Sequence, residues 1–267
     1  MEQDINTSFY SSGVFGNSNN NLIFSCDLSQ CSQYISTHYL YKNNKNNYLY
    51  QCDNNGICNI KHSISTGYYL TGSPTFSSTF PYISYYSLIQ CNKSNNPSKC
   101  INTAIPTGDF INKLNNKSII HCNGTTCIST NGNIIQGHGY IDITDSLKKT
   151  IITCSINKCI SEDKYTLLTI SYNNLYFIDA TSTSNIIICT TSNCSSQNIS
   201  NNLTEGQKLY FIDGTNITNI ITCSNNGCIS GDSGALSNKN AIYTDGAING
   251  RTLTCTVNGC ISSNGNL

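Results

Sequence analysis

The chain has 267 residues, only 10% of them charged, and its basic and acidic side chains cancel to a formal net charge of zero. That balance excludes the basic footprint of a nucleic-acid binder and any simple attraction to anionic lipid. Asparagine is abundant, tryptophan is absent and proline is scarce. So polar a chain could stay unfolded, but Ile, Leu and Tyr cluster beside regularly placed cysteines and supply the side chains of a folded one.

Residues 1–21 stand outside the regular pattern and read as a polar cap or leader. Met1-Glu2-Gln3-Asp4 has neither a basic start nor an apolar core, so the expectation is a mature segment whose secretion signal lies outside this chain. No apolar run approaches the roughly 20 residues of a membrane-spanning helix.

From residue 22 to 267 the cysteines fall into eight pairs: Cys26/Cys31, Cys52/Cys58, Cys91/Cys100, Cys122/Cys127, Cys154/Cys159, Cys189/Cys194, Cys223/Cys228 and Cys255/Cys260. Six have the form C-x4-C, and the first cysteines of the last five pairs lie 32, 35, 34 and 32 residues apart. A fixed period of this length signals a repeat architecture. An even count with every cysteine near a partner points to disulfides in an oxidising compartment.

Each unit predicts three short strands. In chain order, Gly67-Tyr68-Tyr69-Leu70 opens one unit, and an insertion near 73–87 separates it from Cys91. Gly139-Tyr140-Ile141-Asp142 precedes Cys154. The units then become more regular: Leu175-Tyr176-Phe177-Ile178-Asp179, Leu209-Tyr210-Phe211-Ile212-Asp213 and Ala241-Ile242-Tyr243-Thr244-Asp245 each precede a second apolar run that ends at the first cysteine. These residue types suit a half-buried pleated surface, and Asn, Gly, Asp and Ser clusters bound them. No 3.6-residue apolar period is sustained, so almost no helix is expected.

Between the paired cysteines, Asn55-Gly56, Asn226-Gly227 and Asn258-Gly259 are hairpin-turn signals. Cysteines flanking such a turn can lie opposite each other and bond. One unit has too few apolar side chains for its own core, so neighbours must stack. The fold expected is therefore an all-β repeat protein, a β-solenoid with one C-x4-C disulfide clip per coil of about 32 residues. A row of small, separately clipped β modules is the alternative.

No catalytic centre stands out. Gly231-Asp232-Ser233-Gly234 matches the tetrapeptide around the nucleophile of trypsin-like proteases, but a nucleophilic serine needs a histidine base and an oxyanion hole. The chain has only His38, His62, His121 and His138. The cysteine spacings drift to x5 and x8, unlike a zinc module. Asp142, Asp179, Asp213 and Asp245 recur once per unit after the aromatic strand, where a turn-forming role is simpler than acid–base work. No cofactor or metal is implied. The tyrosines are the stronger binding candidates, since Tyr gives a rigid contact face with a polar tip. Of each adjacent aromatic pair, one ring is expected inward and the other outward in a ladder.

The aromatic strand, Ser/Gly-rich spacer, Leu-Ile-x-Cys run, short Asn/Gly turn and second cysteine resemble the repeats of scaffoldins from anaerobic gut fungi, over roughly 22–267. The resemblance implies a secreted, non-catalytic scaffold whose cohesin-like repeats dock dockerin-bearing plant-cell-wall-degrading enzymes into a fungal cellulosome. Candidate partner-binding residues are then Tyr68, Tyr69, Tyr140, Tyr176, Tyr210, Tyr243, Asp179, Asp213 and Asp245. A carbohydrate-binding or adhesin module, or a passive cell-surface repeat, is the alternative. Eight Asn-x-Ser/Thr sequons, at Asn6, Asn92, Asn116, Asn123, Asn193, Asn198, Asn202 and Asn216, would make the secreted chain a glycoprotein if used. A composition this rich in Asn, Ser and Thr also makes them by chance.

Overall fold

The structure, a computed structural model, describes residues 66–70, 88–92, 100, 103–113, 115–163, 174–234 and 241–264 with their side chains. It also describes strand backbone at 13–17, 22–26, 31–33, 38–42, 47–52, 58–60, 99 and 101–102. The inserted segment at 73–87 and the Asn55-Gly56 turn lie outside the described residues.

The described residues form eight repeats of three strands. They are Gly13–Asn17, Leu22–Cys26 and Cys31–Gln33; His38–Lys42, Asn47–Cys52 and Cys58–Ile60; and Gly67–Leu70, Leu88–Asn92 and Lys99–Thr103. Next come Thr107–Ile111, Ser118–Asn123 and Cys127–Asn131; His138–Ile141, Thr150–Cys154 and Cys159–Asp163; and Leu175–Asp179, Asn185–Cys189 and Cys194–Asn198. The last two are Leu209–Ile212, Asn219–Ser224 and Gly227–Asp232, and Ala241–Thr244, Arg251–Thr256 and Gly259–Asn264. The second strand of each lies between the other two. Besides strands and turns, the described residues hold one short 3₁₀ turn, Ser200–Asn202. The all-β repeat fold expected from the cysteine period is the fold observed.

The first repeat begins earlier than expected. Gly13–Asn17 pairs antiparallel with Leu22–Cys26, Gly13 opposite Cys26 and Asn17 opposite Leu22. A boundary at 21/22 would cut that hairpin, so the cap expected at 1–21 already contains a strand. Period-2 alternation is weak in Gly13-Val14-Phe15-Gly16-Asn17, which hid it.

Register puts the cysteines of each pair opposite one another: Cys26 faces Cys31, Cys52 faces Cys58, and the same holds for the later pairs whose registers are defined. Where side chains are described, the bonds are formed, from Cys91–Cys100 and Cys122–Cys127 through Cys154–Cys159, Cys189–Cys194 and Cys223–Cys228 to Cys255–Cys260. No free cysteine is found among the described residues. The hairpin turns use glycine as read: Gly227 and Gly259 have φ of 115° and 131°, a region closed to most side chains.

Two compact parts divide the chain, residues 1–107, 112–115 and 120–130 in one and 108–111, 116–119 and 131–267 in the other. Within the first part, Tyr68 forms a parallel bridge with Asn112. Within the second, the same step recurs: Asp109 bridges Asp142, Gly139 pairs with Asp179, Tyr176 bridges Asp213 and Tyr210 bridges Asp245. In every case the residue before the core aromatic meets the Asp or Asn of the following repeat. A second bond repeats with it. The backbone N–H of Cys159, Cys194, Cys228 and Cys260 donates to the carbonyl of Asn116, Lys148, Thr183 and Ile217 respectively, at 2.6–2.8 Å. This constant step is the stacking expected of a solenoid. Each repeat is nevertheless an antiparallel meander, and parallel pairing is confined to short contacts at the end of its first strand.

The core lies between successive repeats. Tyr176, Ile178 and Ile186 of the sixth repeat pack on Phe211, Ile221, Cys223 and Cys228 of the seventh. Ile212 and Ile220 of the seventh pack on Leu253, Cys255 and Cys260 of the eighth. Ile151 of the fifth joins Leu175, Phe177, Ile187, Cys189 and Cys194 of the sixth. In the sixth to eighth repeats one face carries the aromatic ring and disulfide, and the repeat before covers that face.

Candidate functional site

The recurring aspartate is where sequence and structure meet most closely. In Tyr243-Thr244-Asp245, alternation along the strand puts the aromatic ring and the carboxylate on one face. Asp213 is fully buried. Its Oδ1 accepts from the Thr215 N–H and the Thr215 hydroxyl, both at 2.7 Å, and its Oδ2 accepts from the Ser230 hydroxyl. Asp142, Asp179 and Asp245 repeat the arrangement: Oδ1 accepts the N–H of Thr144, Thr181 and Ala247, and Oδ2 accepts the hydroxyl of Ser161, Ser196 and Ser262. In the fourth repeat Asn112 takes the aspartate's place and its Nδ2 donates to Ser129 Oγ at 2.9 Å.

Each carboxylate therefore closes its own turn and ties the end of the first strand to the third. The sequence reading nominated Asp179, Asp213 and Asp245 for partner binding, and the structure instead buries them and commits their carboxylates to these bonds. It also gave these aspartates a turn role and missed the serine. The signal was present, because a serine stands two residues after the second cysteine in Cys127-Ile128-Ser129, Cys159-Ile160-Ser161, Cys194-Ser195-Ser196, Cys228-Ile229-Ser230 and Cys260-Ile261-Ser262.

The nominated tyrosines divide into two sets. Tyr69, Tyr140 and Tyr176 are buried, whereas Tyr68, Tyr210 and Tyr243 are half-buried. Tyr176 departs from the expected outward ladder. It lies on the face of its own sheet opposite Phe177, but its ring packs on Phe211 of the next repeat with centroids 5.0 Å apart, and it is only 6% exposed. Tyr210 packs on Tyr243 in the same way, at 4.9 Å. Sequence alternation gives the face of one sheet; it does not say that the next sheet will cover it. The Tyr140 hydroxyl accepts from the Asn133 N–H at 2.9 Å, the Tyr176 hydroxyl accepts from Asn174 Nδ2 at 3.1 Å, and the Tyr243 hydroxyl donates to the Ser233 carbonyl. Burial raises the Tyr140 and Tyr176 hydroxyls above their ordinary value. The hydrogen bonds from Asn133 and Asn174 oppose that rise, and the Asp109 and Asp179 charges (for Tyr140) and Asp245 (for Tyr176) add to it.

Ser233 of the Gly-Asp-Ser-Gly tetrapeptide is buried, and Asp232 Oδ1 accepts the Gly234 N–H at 2.9 Å. Gly231 and Asp232 end the third strand of the seventh repeat, and the next residue, Ser233, offers its carbonyl to Tyr243. No group of three His, Cys, Asp or Glu side chains placed to hold a metal ion occurs among the described residues.

The exposed apolar side chains show a second regularity. Ile128, Ile229 and Ile261 each follow the second cysteine of a pair and point to solvent, Ile229 at 71% exposure. In the seventh repeat Ile229 lies in register with Thr222 and Tyr210, and in the eighth Ile261 lies in register with Thr254 and the exposed Ile242. The third strand is the edge strand in both sheets. A cavity of about 260 Å³ is lined in part by Asn174, Tyr176, Asp245, Arg251 and Ser262.

No helix among the described residues is long and apolar enough to cross a membrane. No protein-family model matches the chain, and no curated protein or solved structure is significantly similar to it.

Proposed function

We propose that the chain is a non-catalytic secreted scaffold whose repeats hold dockerin modules of plant-cell-wall-degrading enzymes, as the cohesin-like repeats of scaffoldins do. The observation that carries this reading is the recurrence of a solvent-facing third strand, with an exposed isoleucine after the second cysteine, in the fourth, seventh and eighth repeats. Ile229 and Ile261 present the same group in the same register, Ile229 in the row of half-buried Tyr210 and Ile261 in the row of exposed Ile242. A protein that repeats a surface suits multivalent capture, in which linked weak contacts gain avidity without any new chemistry. Using the aspartates to close turns fits the same reading, since it commits the repeated polar group to structure. The disulfides support an oxidising, extracellular setting. Tyr68, Tyr210 and Tyr243 are the nominated tyrosines that the packing leaves within reach of a partner.

The cavity beside Tyr176, Asn174, Asp245 and Arg251 favours a second reading, a carbohydrate-binding module, because hydroxyl, amide and charged groups beside an aromatic ring suit a sugar. One pull-down separates the two. The oxidised protein is offered a dockerin-bearing glycoside hydrolase, the same enzyme without its dockerin, and insoluble cellulose. Dockerin-dependent capture, weakened by Ile229→Asp with Ile261→Asp, is the outcome expected of the scaffold. Capture by cellulose alone would overturn it in favour of the sugar reading.

A further inference from the structure

We infer that, among the sequons whose residues are described, Asn123 and Asn216 are the acceptors of N-linked glycans. Both asparagines are exposed, and both already hold the conformation the transfer needs. Asn216 Oδ1 accepts the Thr218 N–H at 3.2 Å and the Thr218 hydroxyl at 2.9 Å. Asn123 Oδ1 accepts the Thr125 N–H at 3.0 Å and the Thr125 hydroxyl at 2.8 Å. Drawing electron density toward the amide oxygen acidifies the amide nitrogen. The turn also holds the oxygen inward, which leaves Nδ2 facing outward. This geometry is local to three residues, so it is available to a chain that has not finished folding.

The other described sequons are engaged differently. Asn198 Nδ2 donates to Asn185 Oδ1 at 2.9 Å, and its hydroxyl partner Ser200 is fully buried. Asn202 Nδ2 donates to the Asn198 carbonyl at 3.3 Å. Ser118 of the Asn116 sequon is buried at the start of a strand. The Asn193 sequon runs through disulfide-bonded Cys194 to Ser195, which is paired with Ile188 in the sheet.

In the transfer, Nδ2 attacks the anomeric carbon of an oligosaccharide carried on a lipid pyrophosphate. The N–C bond forms as the C–O bond breaks. The pyrophosphate leaves with the electron pair, and the amide gives up one proton. Nothing is oxidised or reduced. The inference requires only that the chain enter the secretory route, and it is independent of what the repeats bind.

The test is secretion of the intact chain from a glycosylating eukaryotic host. Site occupancy is then read by mass spectrometry after enzymatic deglycosylation in heavy-oxygen water. Occupancy of most molecules at Asn123 and Asn216, and of a small minority at Asn116, Asn193, Asn198 and Asn202, is expected. The gel shift should fall by one glycan in N123Q, by one in N216Q, and by two in the double variant. An unmodified secreted chain, or equal occupancy across all six sites, would overturn the inference.

Discussion

At the residue scale the chain repeats one small device, a buried acceptor that serves a turn and a distant serine at once. Asp213 accepts three hydrogen bonds. Removing it breaks these three hydrogen bonds to a charged carboxylate together, which costs about 1–3 kcal/mol. Asp213→Ala should therefore lower the unfolding free energy by about that amount, while Asp213→Asn should cost less. The fourth repeat already runs the same contact with an amide, Asn112 to Ser129. Denaturant titration of the two variants checks the order, and equal losses would refute the account. Half of this device was legible in the sequence: Asp at a strand end reads as a turn former, because short polar side chains bond their own backbone. The serine's recurrence was visible too, but not its bond to the aspartate, because it lies 17 residues from Asp213 and reaches it only once strand register is known. The tyrosine hydroxyls give a second residue-scale prediction. Burial raises the folded values of Tyr140 and Tyr176 above the ordinary 10.0. The folded chain thus keeps those protons where the unfolded chain releases them. Their stabilisation is complete below about pH 10 and is lost as pH rises through the raised folded values. A thermal midpoint that falls in this alkaline window, and falls less in a Tyr140→Phe/Tyr176→Phe double variant, is the expected result.

At the scale of the element, each repeat whose side chains are described is a meander closed by its own disulfide, and the later meanders complete their cores with their neighbours. The ring closed by Cys223 and Cys228 is short, so the chain-entropy argument assigns the bond about 2 kcal/mol. A Cys223→Ser/Cys228→Ser variant should lose about that much and keep its strand content by circular dichroism. The Asn226-Gly227 turn sets the hairpin on its own. Gly227→Ala should be more damaging to the hairpin than its size suggests, since φ of 115° there is strained for any side chain. Apart from the first strand, Gly13–Asn17, the three-strand units and the cysteine hairpins were readable because both depend on residues near in sequence. The fate of Tyr176 was not, since its cover comes from Phe211 in the next repeat. A double-mutant cycle on Tyr176→Ala and Phe211→Ala isolates that contact. The coupling expected for a tilted aromatic pair is roughly 0.5–1.5 kcal/mol. Additive losses would mean that the two rings stabilise their repeats separately.

At the scale of the molecule, stability is a sum over repeats and over the interfaces between successive ones. The face that each repeat offers to its successor changes along the last three. The paired positions Ile178 and Ile186 become Ile212 and Ile220 and then Thr244 and Thr252, while Ile188 becomes Thr222 and then Thr254. Threonine keeps the branched shape that suits a strand and adds a hydroxyl that water can satisfy. The eighth repeat thus covers the apolar residues of the seventh with Leu253, Cys255 and Cys260 and turns a more polar face outward. Deleting residues 235–267 should uncover Ile212, Ile220 and Tyr210 together. The shortened chain should unfold at lower denaturant, because one interface is gone, and should self-associate through the uncovered face in sedimentation velocity. Changing Ile212 and Ile220 to Thr in the shortened chain should restore the monomer without restoring the lost stability. Those two readouts separate covering from packing. A shortened chain that stays monomeric at the original midpoint would show that the repeats stand independently, each held by its own clip.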